Sequence, residues 1–151
     1  MSIRSTSSQP ATVAAAVSSD LAAPVLFYDG TCGLCARSVQ WSLRHDARRV
    51  LRFAPLQGTT YAALSVADKP REMQTMVLSD GDGLHVRSDA VLRLLRHLGG
   101  SWSVLATLGR VCPRFVRDAL YRYVAARRIA WFGTAEVCDL PKPADRERFL
   151  A

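Results

Sequence analysis

The chain has 151 residues, a formal net charge of +7 and four cysteines. That length suits a single domain burying roughly 68–70% of its unfolded surface, and four cysteines fall far below the roughly 8–10% of a disulfide-stabilised scaffold. A hydrophobic content of 49% excludes a disordered chain, and no apolar run approaches the ~18 uncharged residues that would span a bilayer.

Residues 1–24 are rich in Ser, Ala and Thr and contain no aromatic residue. This composition predicts a flexible N-terminal tail. Its apolar stretch, residues 14–17, is shorter than the roughly 7–15 residues of a secretory signal core, and Arg4 is its single basic residue. We therefore expect a cytoplasmic protein whose folded domain covers residues 25–151.

The folded part begins with the pattern of a βαβ unit. Residues 25–28 form a short apolar run between Pro24 and Asp29-Gly30, which is typical of a buried strand. Apolar residues then recur at helical spacing over 32–45, and residues 50–56 alternate apolar and basic side chains like a second strand. Two strands joined through a helix are expected to pair in parallel.

The later elements are shorter or less regular in pattern. Residues 57–67 indicate a weaker helix, and two strands, 76–79 and 84–87, flank an Asp-Gly-Asp-Gly turn that predicts a hairpin. Ser88 or Asp89 is expected to cap the next helix, with an apolar face of Val91, Leu92, Leu95 and Leu98 and an end at Gly99-Gly100. Helical patterns at 102–108 and 114–129 complete an α/β fold: a small mixed sheet flanked by helices, with extra C-terminal helices.

Two thiols three residues apart are the clearest chemical feature. Cys32 and Cys35 lie in the first turn of the helix that follows the first strand. Free N–H groups and the positive dipole end at a helix N-terminus stabilise an anion, so Cys32 is predicted to be the nucleophilic thiolate. Cys35, one turn further along and on the buried stripe, is predicted to be the resolving thiol that closes a Cys32–Cys35 disulfide.

Asp29 precedes this pair by three residues, and two interpretations remain open. As a buried carboxylate with a raised pKa, it would accept the proton of Cys35 during resolution. As a structural residue, it would accept backbone N–H bonds in the turn before the helix. The residues by themselves favour the two roles about equally.

A metal site is the main alternative to a redox pair. Zinc needs four ligands, and beyond the one Cys-x-x-Cys the chain offers Cys112, Cys138 and three scattered histidines without ligand spacing. We therefore predict a dithiol that works without a bound metal or other cofactor.

Most of the positive charge lies in the basic segment, residues 110–133, which has six arginines against Asp118 and a net charge of +5. Its aromatic residues follow an amphipathic helical pattern and no nucleic-acid-binding motif accompanies them, so no specific nucleic acid is expected. A solvated helix face is the simplest interpretation. The alternative function is an interaction module that docks an acidic partner, or a peripheral membrane surface, through this segment.

The pattern Asp29-x-x-Cys32-x-x-Cys35 after a hydrophobic strand resembles the DCC family of thiol-disulfide oxidoreductases. The similarity extends through residues 25–39, 52–57, 87–95, 126–133 and 138–141. It implies a thioredoxin-like fold in which the two cysteines form the redox pair and Asp29 belongs to the family signature. One departure from ordinary thioredoxins is that Gln74-Thr75, not a cis-proline, precedes the strand expected to face the cysteines.

Other residues in the matching stretches receive smaller roles. Arg37, in the second turn of the first helix, is a further candidate for stabilising a Cys32 thiolate, and Arg128 is a minor site candidate. Trp131 and Phe132 are expected to anchor the C-terminal segment in the core, and Cys112 to be a small core residue. Cys138 is the candidate third thiol.

The predicted function is exchange of the Cys32–Cys35 disulfide with protein or small-molecule thiols, with the reductant and client unspecified.

Overall fold

The computed structural model describes residues 23–64, 70, 75–134 and 142–151. Most of the predicted tail and Cys138 therefore lie outside the described residues, and the tail and domain boundaries stay predictions. The strands are β1 (Val25–Tyr28), β2 (Arg52–Pro55), β3 (Val77–Asp80) and β4 (Gly83–Val86). The helices are α1 (Gly33–His45), α2 (Thr59–Ala63), α3 (Arg87–Leu98), α4 (Gly100–Val111), α5 (Arg114–Phe132) and a final 3₁₀ helix (Pro143–Arg148).

The four strands form one mixed sheet in the order β2-β1-β3-β4. β1 pairs in parallel with β2, with Val25 opposite Arg52, and antiparallel with β3. β3 and β4 form the predicted hairpin. The expected βαβ unit and its parallel pair are confirmed, and β1 lies in the interior of the sheet, where both neighbouring strands shield it.

Side chains of β1 alternate between two hydrophobic clusters, as the period of two in a strand requires. Leu26 belongs to the cluster beneath α1 and α3, with Phe53 and Leu94. Phe27 belongs to the cluster on the other face, where its ring centroid lies 5.1 Å from that of Tyr61 in α2. Each fully buried large side chain contributes roughly 1.5–3 kcal/mol, so the sheet is held to helices on both faces.

Helix α3 differs from its prediction in its start and its buried face. Its N-cap is Val86, and no side chain caps it; Ser88 and Asp89 instead bond to α5, as described below. The buried apolar positions are Ala90, Leu94 and Leu98, one turn apart, and Leu95 packs partly buried against the same core. The predicted stripe was therefore wrong at Val91 and Leu92, which turn away from the sheet. The predicted end is confirmed, because Gly99 adopts a φ of 72° that favours glycine.

The C-terminal residues attach to β2. Phe149 stacks on Phe53 with ring centroids 5.4 Å apart, and the Leu150 N–H donates to the Phe53 carbonyl at 2.7 Å. The predicted core anchors are different residues: Trp131 is 54% exposed, so that prediction was wrong, and Phe132 is half-buried. Both lie at the end of α5, where the backbone, not these side chains, makes the close contact with α1 at Gly33.

Candidate active site

Cys32 and Cys35 occupy the first turn after β1, as predicted. Cys32 is the N-cap of α1, with an extended φ of −96° and ψ of 122°. Its N–H donates to the Asp29 carbonyl at 3.3 Å, and its own carbonyl accepts from the Ala36 N–H at 3.0 Å. Both thiols are free, and both are buried: Cys32 is 0% exposed and Cys35 is 7% exposed.

The C-terminal end of α5 covers this first turn. The Gly33 N–H donates to the Gly133 carbonyl at 3.1 Å, and Cys32 forms an isolated β-bridge with Thr134. A Cβ added to Gly33 would lie 2.4 Å from the Phe132 carbonyl oxygen, so only glycine permits this approach. The cover explains why Cys32 is inaccessible although it stands at a helix N-terminus.

Asp29 directly follows β1, and its carboxylate accepts a dense set of hydrogen bonds. Its Oδ1 accepts from the Thr31 N–H at 3.0 Å, from the Thr31 hydroxyl at 2.7 Å and from Gln57 Nε2 at 3.1 Å. Gln57 follows β2, and its Oε1 accepts in turn from the Gly30 N–H at 3.3 Å. The carboxyl ends of the parallel strands β1 and β2 thus bring Asp29 and Gln57 to one edge.

Arg128 of α5 completes this arrangement. Its Nη2 lies 3.3 Å from Asp29 Oδ2, and the two side chains are each 8% exposed. A buried charge needs a partner of opposite sign, and Arg128 supplies it across 99 positions of sequence. The ion pair ties α5 to the turn that holds the cysteines.

These surroundings set the protonation of two groups in opposite directions. Burial raises the pKa of the Cys35 thiol. The charge of Cys32 and a hydrogen bond between the two cysteines raise the pKa of Cys35 further, to about 12. Burial also opposes ionisation of Asp29, but the hydrogen bonds from Thr31 and Gln57 and the charge of Arg128 outweigh it and lower the pKa of Asp29. The expectation of a raised pKa at Asp29 was therefore wrong; its role in catalysis stays a prediction.

The structure brings Asp29, Cys32, Cys35 and the minor candidate Arg128 together, but not Arg37 or Cys112. Arg37 is exposed, with its guanidinium 5.6 Å from the Phe132 ring centroid. Cys112 caps the end of α4 and is half-buried, so it is not a core residue. Across residues 23–64, 70, 75–134 and 142–151, no group of three or more His, Cys, Asp or Glu is placed to hold a metal ion.

Two participants were undervalued from the sequence. Gln57, which lies in the matching stretch 52–57, was given no role from the sequence. The parallel pairing of β1 with β2 puts Tyr28 opposite Pro55, so Asp29 and Gln57, which follow these two residues, are expected at the same edge of the sheet. Arg128 is nine-tenths buried, yet nothing local in a basic helix distinguishes it from its exposed neighbours.

A second network joins α5 to α3. Arg117 Nη1 lies 3.1 Å from Asp89 Oδ1, and Ser88 donates to the Asp118 carboxylate. Ser88 and Asp89 thus bond to α5, and the prediction that one of them caps α3 was wrong. Together with the Asp29–Arg128 pair, these contacts fix α5 against both the first turn of α1 and the start of α3.

A βαβ unit followed by an antiparallel hairpin and a helix, with a dithiol at the first turn of the first helix, defines a thioredoxin-like α/β protein. Residues 26–134 match the model of the DCC1-like thiol-disulfide oxidoreductase family, and the chain belongs to that family. The predicted membership and fold class are confirmed.

Two curated proteins are similar to the chain over most of its length, and one of them is named as a DCC family protein. The chain is 33% identical over 128 residues to an uncharacterized protein of Bacillus subtilis (strain 168), YuxK, covering 83% of this chain and 93% of that protein. It is 34% identical over 119 residues to the DCC family protein At1g52590, chloroplastic, of Arabidopsis thaliana, covering 78% of this chain and 69% of that protein. No solved structure matches the chain.

Within the described part of the chain, no helix is both long and apolar enough to cross a membrane. The cytoplasmic location stays a prediction, and the chloroplast is named only for the Arabidopsis relative.

Proposed function

We propose that the protein is a thiol-disulfide oxidoreductase that exchanges a Cys32–Cys35 disulfide with protein or small-molecule thiols. The observation that supports this function best is a pair of free thiols in one helical turn, just after an ion-paired carboxylate, in a member of a thiol-disulfide oxidoreductase family. Both thiols belong to one buried turn, so oxidation of the pair requires only that two neighbouring side chains meet.

Cys32 is the attacking group in this proposal and Cys35 resolves. A thiolate at Cys32 receives the positive end of the α1 dipole and a hydrogen bond with the Cys35 thiol. The high pKa of Cys35 keeps its proton in place until a mixed disulfide has formed at Cys32. Cys35 then loses that proton, attacks the Cys32 sulfur and releases the reduced client.

The Asp29–Arg128 pair acts on this chemistry through position and charge. The guanidinium of Arg128 lowers the pKa of Cys35 while burial raises it, so it eases the loss of the Cys35 proton during resolution. Asp29 is ionised at neutral pH because its pKa is lowered. We propose that Asp29 assists resolution by holding the Arg128 guanidinium in place through their ion pair, because a carboxyl group with a lowered pKa is a weak base for the Cys35 proton.

Insulin reduction tests the function. The wild-type protein should reduce insulin disulfides with a chemical reductant present, and Cys32→Ser should abolish the activity. Cys35→Ser should accumulate a mixed disulfide at Cys32, identifiable by mass. Cys112→Ser is the matched control, because Cys112 lies at the far end of α4, and it should keep wild-type activity. Equal activity of wild type and Cys32→Ser would refute the proposal.

A second candidate function rests on exposed apolar residues of α4 and α5. Ten large apolar side chains on these helices are at least 44% exposed, and exposed apolar surface of this extent marks interaction sites. Three of the six arginines of the basic segment are ion-paired internally, namely Arg114, Arg117 and Arg128. Arg110, Arg122 and Arg127 are exposed on the same helices. We propose that this combination docks a peripheral, anionic membrane surface.

Vesicle binding tests the membrane-docking function separately from the redox function of the cysteines. Anionic vesicles should bind the protein and neutral vesicles should not, and binding should weaken as salt screens the arginines. A Cys32→Ser/Cys35→Ser double variant should bind equally well. Equal binding to neutral and anionic vesicles, or no binding to either, contradicts the candidate.

A further inference from the structure

A cavity of about 350 Å³ lies between α1, α3 and α5, within the ~300–1,000 Å³ typical of small-molecule sites. Its walls are mostly apolar, with Leu34 from α1, Val91 and Leu92 from α3, and Leu120 and Val124 from α5. Val91 and Leu92 are the apolar residues of α3 that turn away from the sheet core, so the cavity explains why that helix has a second apolar side.

The cavity reaches the dithiol from one side only. Cys35 is among its lining residues and Cys32 is not, because the Gly133–Thr134 end of α5 covers Cys32. A molecule in the cavity therefore lies against Cys35 and not against Cys32. A protein client that reacts at Cys32 has to displace the Gly133–Thr134 segment first, because Cys32 is 0% exposed.

The two arginines that line the cavity are each neutralised by a carboxylate of the protein. Arg117 and Arg128 both line it, and they are paired with Asp89 at 3.1 Å and Asp29 at 3.3 Å. A charged ligand would have to compete with these pairs in a mostly apolar space, which is unfavourable. The cavity is therefore suited to a neutral, apolar molecule.

We propose that this cavity admits the reductant of the enzyme, and that the reductant is a small, neutral, apolar dithiol. The inference rests on the proposed function, because it assigns a partner to the same cysteine pair. A dithiol is favoured over a monothiol because a monothiol would leave a mixed disulfide in the cavity, and a second molecule would have to enter the same space to remove it.

The exchange balances in atoms and electrons. In the oxidised enzyme, one thiol of the neutral ligand loses its proton to solvent as its sulfur attacks the sulfur of Cys35; a ligand–Cys35 disulfide forms, the Cys32–Cys35 bond breaks, and Cys32 leaves as the thiolate at the helix N-terminus. The second ligand thiol, on losing its proton, attacks the ligand sulfur of that mixed disulfide and releases Cys35, which takes up a proton. The ligand is oxidised to a cyclic disulfide, and the enzyme gains two electrons.

Dihydrolipoamide is a probe of this chemistry, and dithiothreitol is the polar comparison. The oxidised protein is mixed with each dithiol over a range of concentrations, and the reduced fraction is measured by acid quenching, alkylation and mass. Reduction by dihydrolipoamide should saturate, with half-saturation at least about tenfold below that of dithiothreitol. Octanamide, which has the apolar chain but no sulfur, should inhibit it competitively.

Two tryptophan substitutions on α5 test the location. Ala125 lines the cavity, and Ala125→Trp should raise the half-saturation concentration of dihydrolipoamide at least about tenfold by filling it. Ala126 is exposed on the same helix, and Ala126→Trp should leave the value unchanged. If Ala125→Trp does not fold, Val91→Phe from the opposite wall and the octanamide experiment on wild type make the same test.

Equal, non-saturating reduction by the two dithiols overturns the inference, as does equal behaviour of Ala125→Trp and Ala126→Trp, or no inhibition by octanamide. Insulin reduction separates this failure from failure of the proposed function. Activity with dithiothreitol and no preference for dihydrolipoamide removes only the cavity assignment, whereas absence of insulin reduction with either dithiol removes the function itself.

Discussion

Replacement of Arg128 by leucine removes the charge that compensates Asp29. Truncating one partner of a buried ion pair costs about 3–5 kcal/mol, and both side chains here are 8% exposed. Asp29 Oδ1 keeps its three hydrogen bonds from Thr31 and Gln57, so we expect the lower end of that range, about 3 kcal/mol. Urea denaturation followed by tryptophan fluorescence at pH 7 measures the loss.

The pH dependence of that loss has a defined sign. Because the pKa of Asp29 is lowered in the folded protein, its ionised form stabilises the fold above the unfolded pKa of about 3.9, and this stabilisation is lost as the pH falls through the folded pKa. In Arg128→Leu the pKa of Asp29 rises, and protonation relieves the buried charge at higher pH. The difference in unfolding free energy between wild type and variant should therefore narrow between pH 7 and about pH 3.

Arg122→Leu is the matched control on the same helix. Arg122 is exposed and bonds to a backbone carbonyl at 3.3 Å, so its replacement should cost less than about 0.5 kcal/mol. The reasoning fails if Arg128→Leu and Arg122→Leu destabilise equally. It also fails if the cost of Arg128→Leu is the same at pH 3 as at pH 7.

Three further predictions concern other parts of the fold. Gly33→Ala should lower the free energy of unfolding by roughly 1–3 kcal/mol through overpacking and displace the end of α5. Gly81→Ala is the control and should be neutral, because a Cβ at Gly81 has nothing within 4 Å. Urea denaturation compares the two variants, and equal effects would contradict the close approach of α5 to Gly33. Arg148→Met should cost about 3–5 kcal/mol in the same assay, because it leaves the Asp46 carboxylate buried; a loss below about 1 kcal/mol would count against this pair. Iodoacetamide should alkylate Cys35 slowly at pH 7 and faster at each higher pH up to its pKa of about 12; a plateau near pH 8 would contradict that pKa.

Local patterns were sufficient for the first half of the fold. β1, α1 and β2 follow from residue periodicity, and the thiols of Cys32 and Cys35 share a turn because four residues complete one turn of helix. The hairpin of β3 and β4 is equally local, since a glycine-containing turn specifies it. The α/β class and the placement of the two cysteines therefore follow from local patterns, whereas the thioredoxin-like fold was implied by the family resemblance.

Contacts across long sequence separations were not predictable in this way. Arg128 reaches Asp29 over 99 positions, and its sequence neighbourhood resembles that of any solvated basic helix. The docking of α5 also changes the role of two side chains at the start of α3: Ser88 and Asp89 bond to α5 and do not cap their own helix. The packing of α5 thus accounts for three errors in the predictions from sequence: the predicted cap of α3, the predicted apolar face of α3 and the minor role given to Arg128.

A redox titration of the cysteine pair tests the proposed oxidoreductase function most directly. The protein is equilibrated in buffers of graded dithiol-to-disulfide ratio, quenched with acid, alkylated and analysed by peptide mass. We predict one two-electron transition that links Cys32 to Cys35, present in the Cys112→Ser variant and absent when either Cys32 or Cys35 is replaced by serine. A pair that stays reduced across the whole range, or a disulfide that joins either residue to another cysteine, would contradict it.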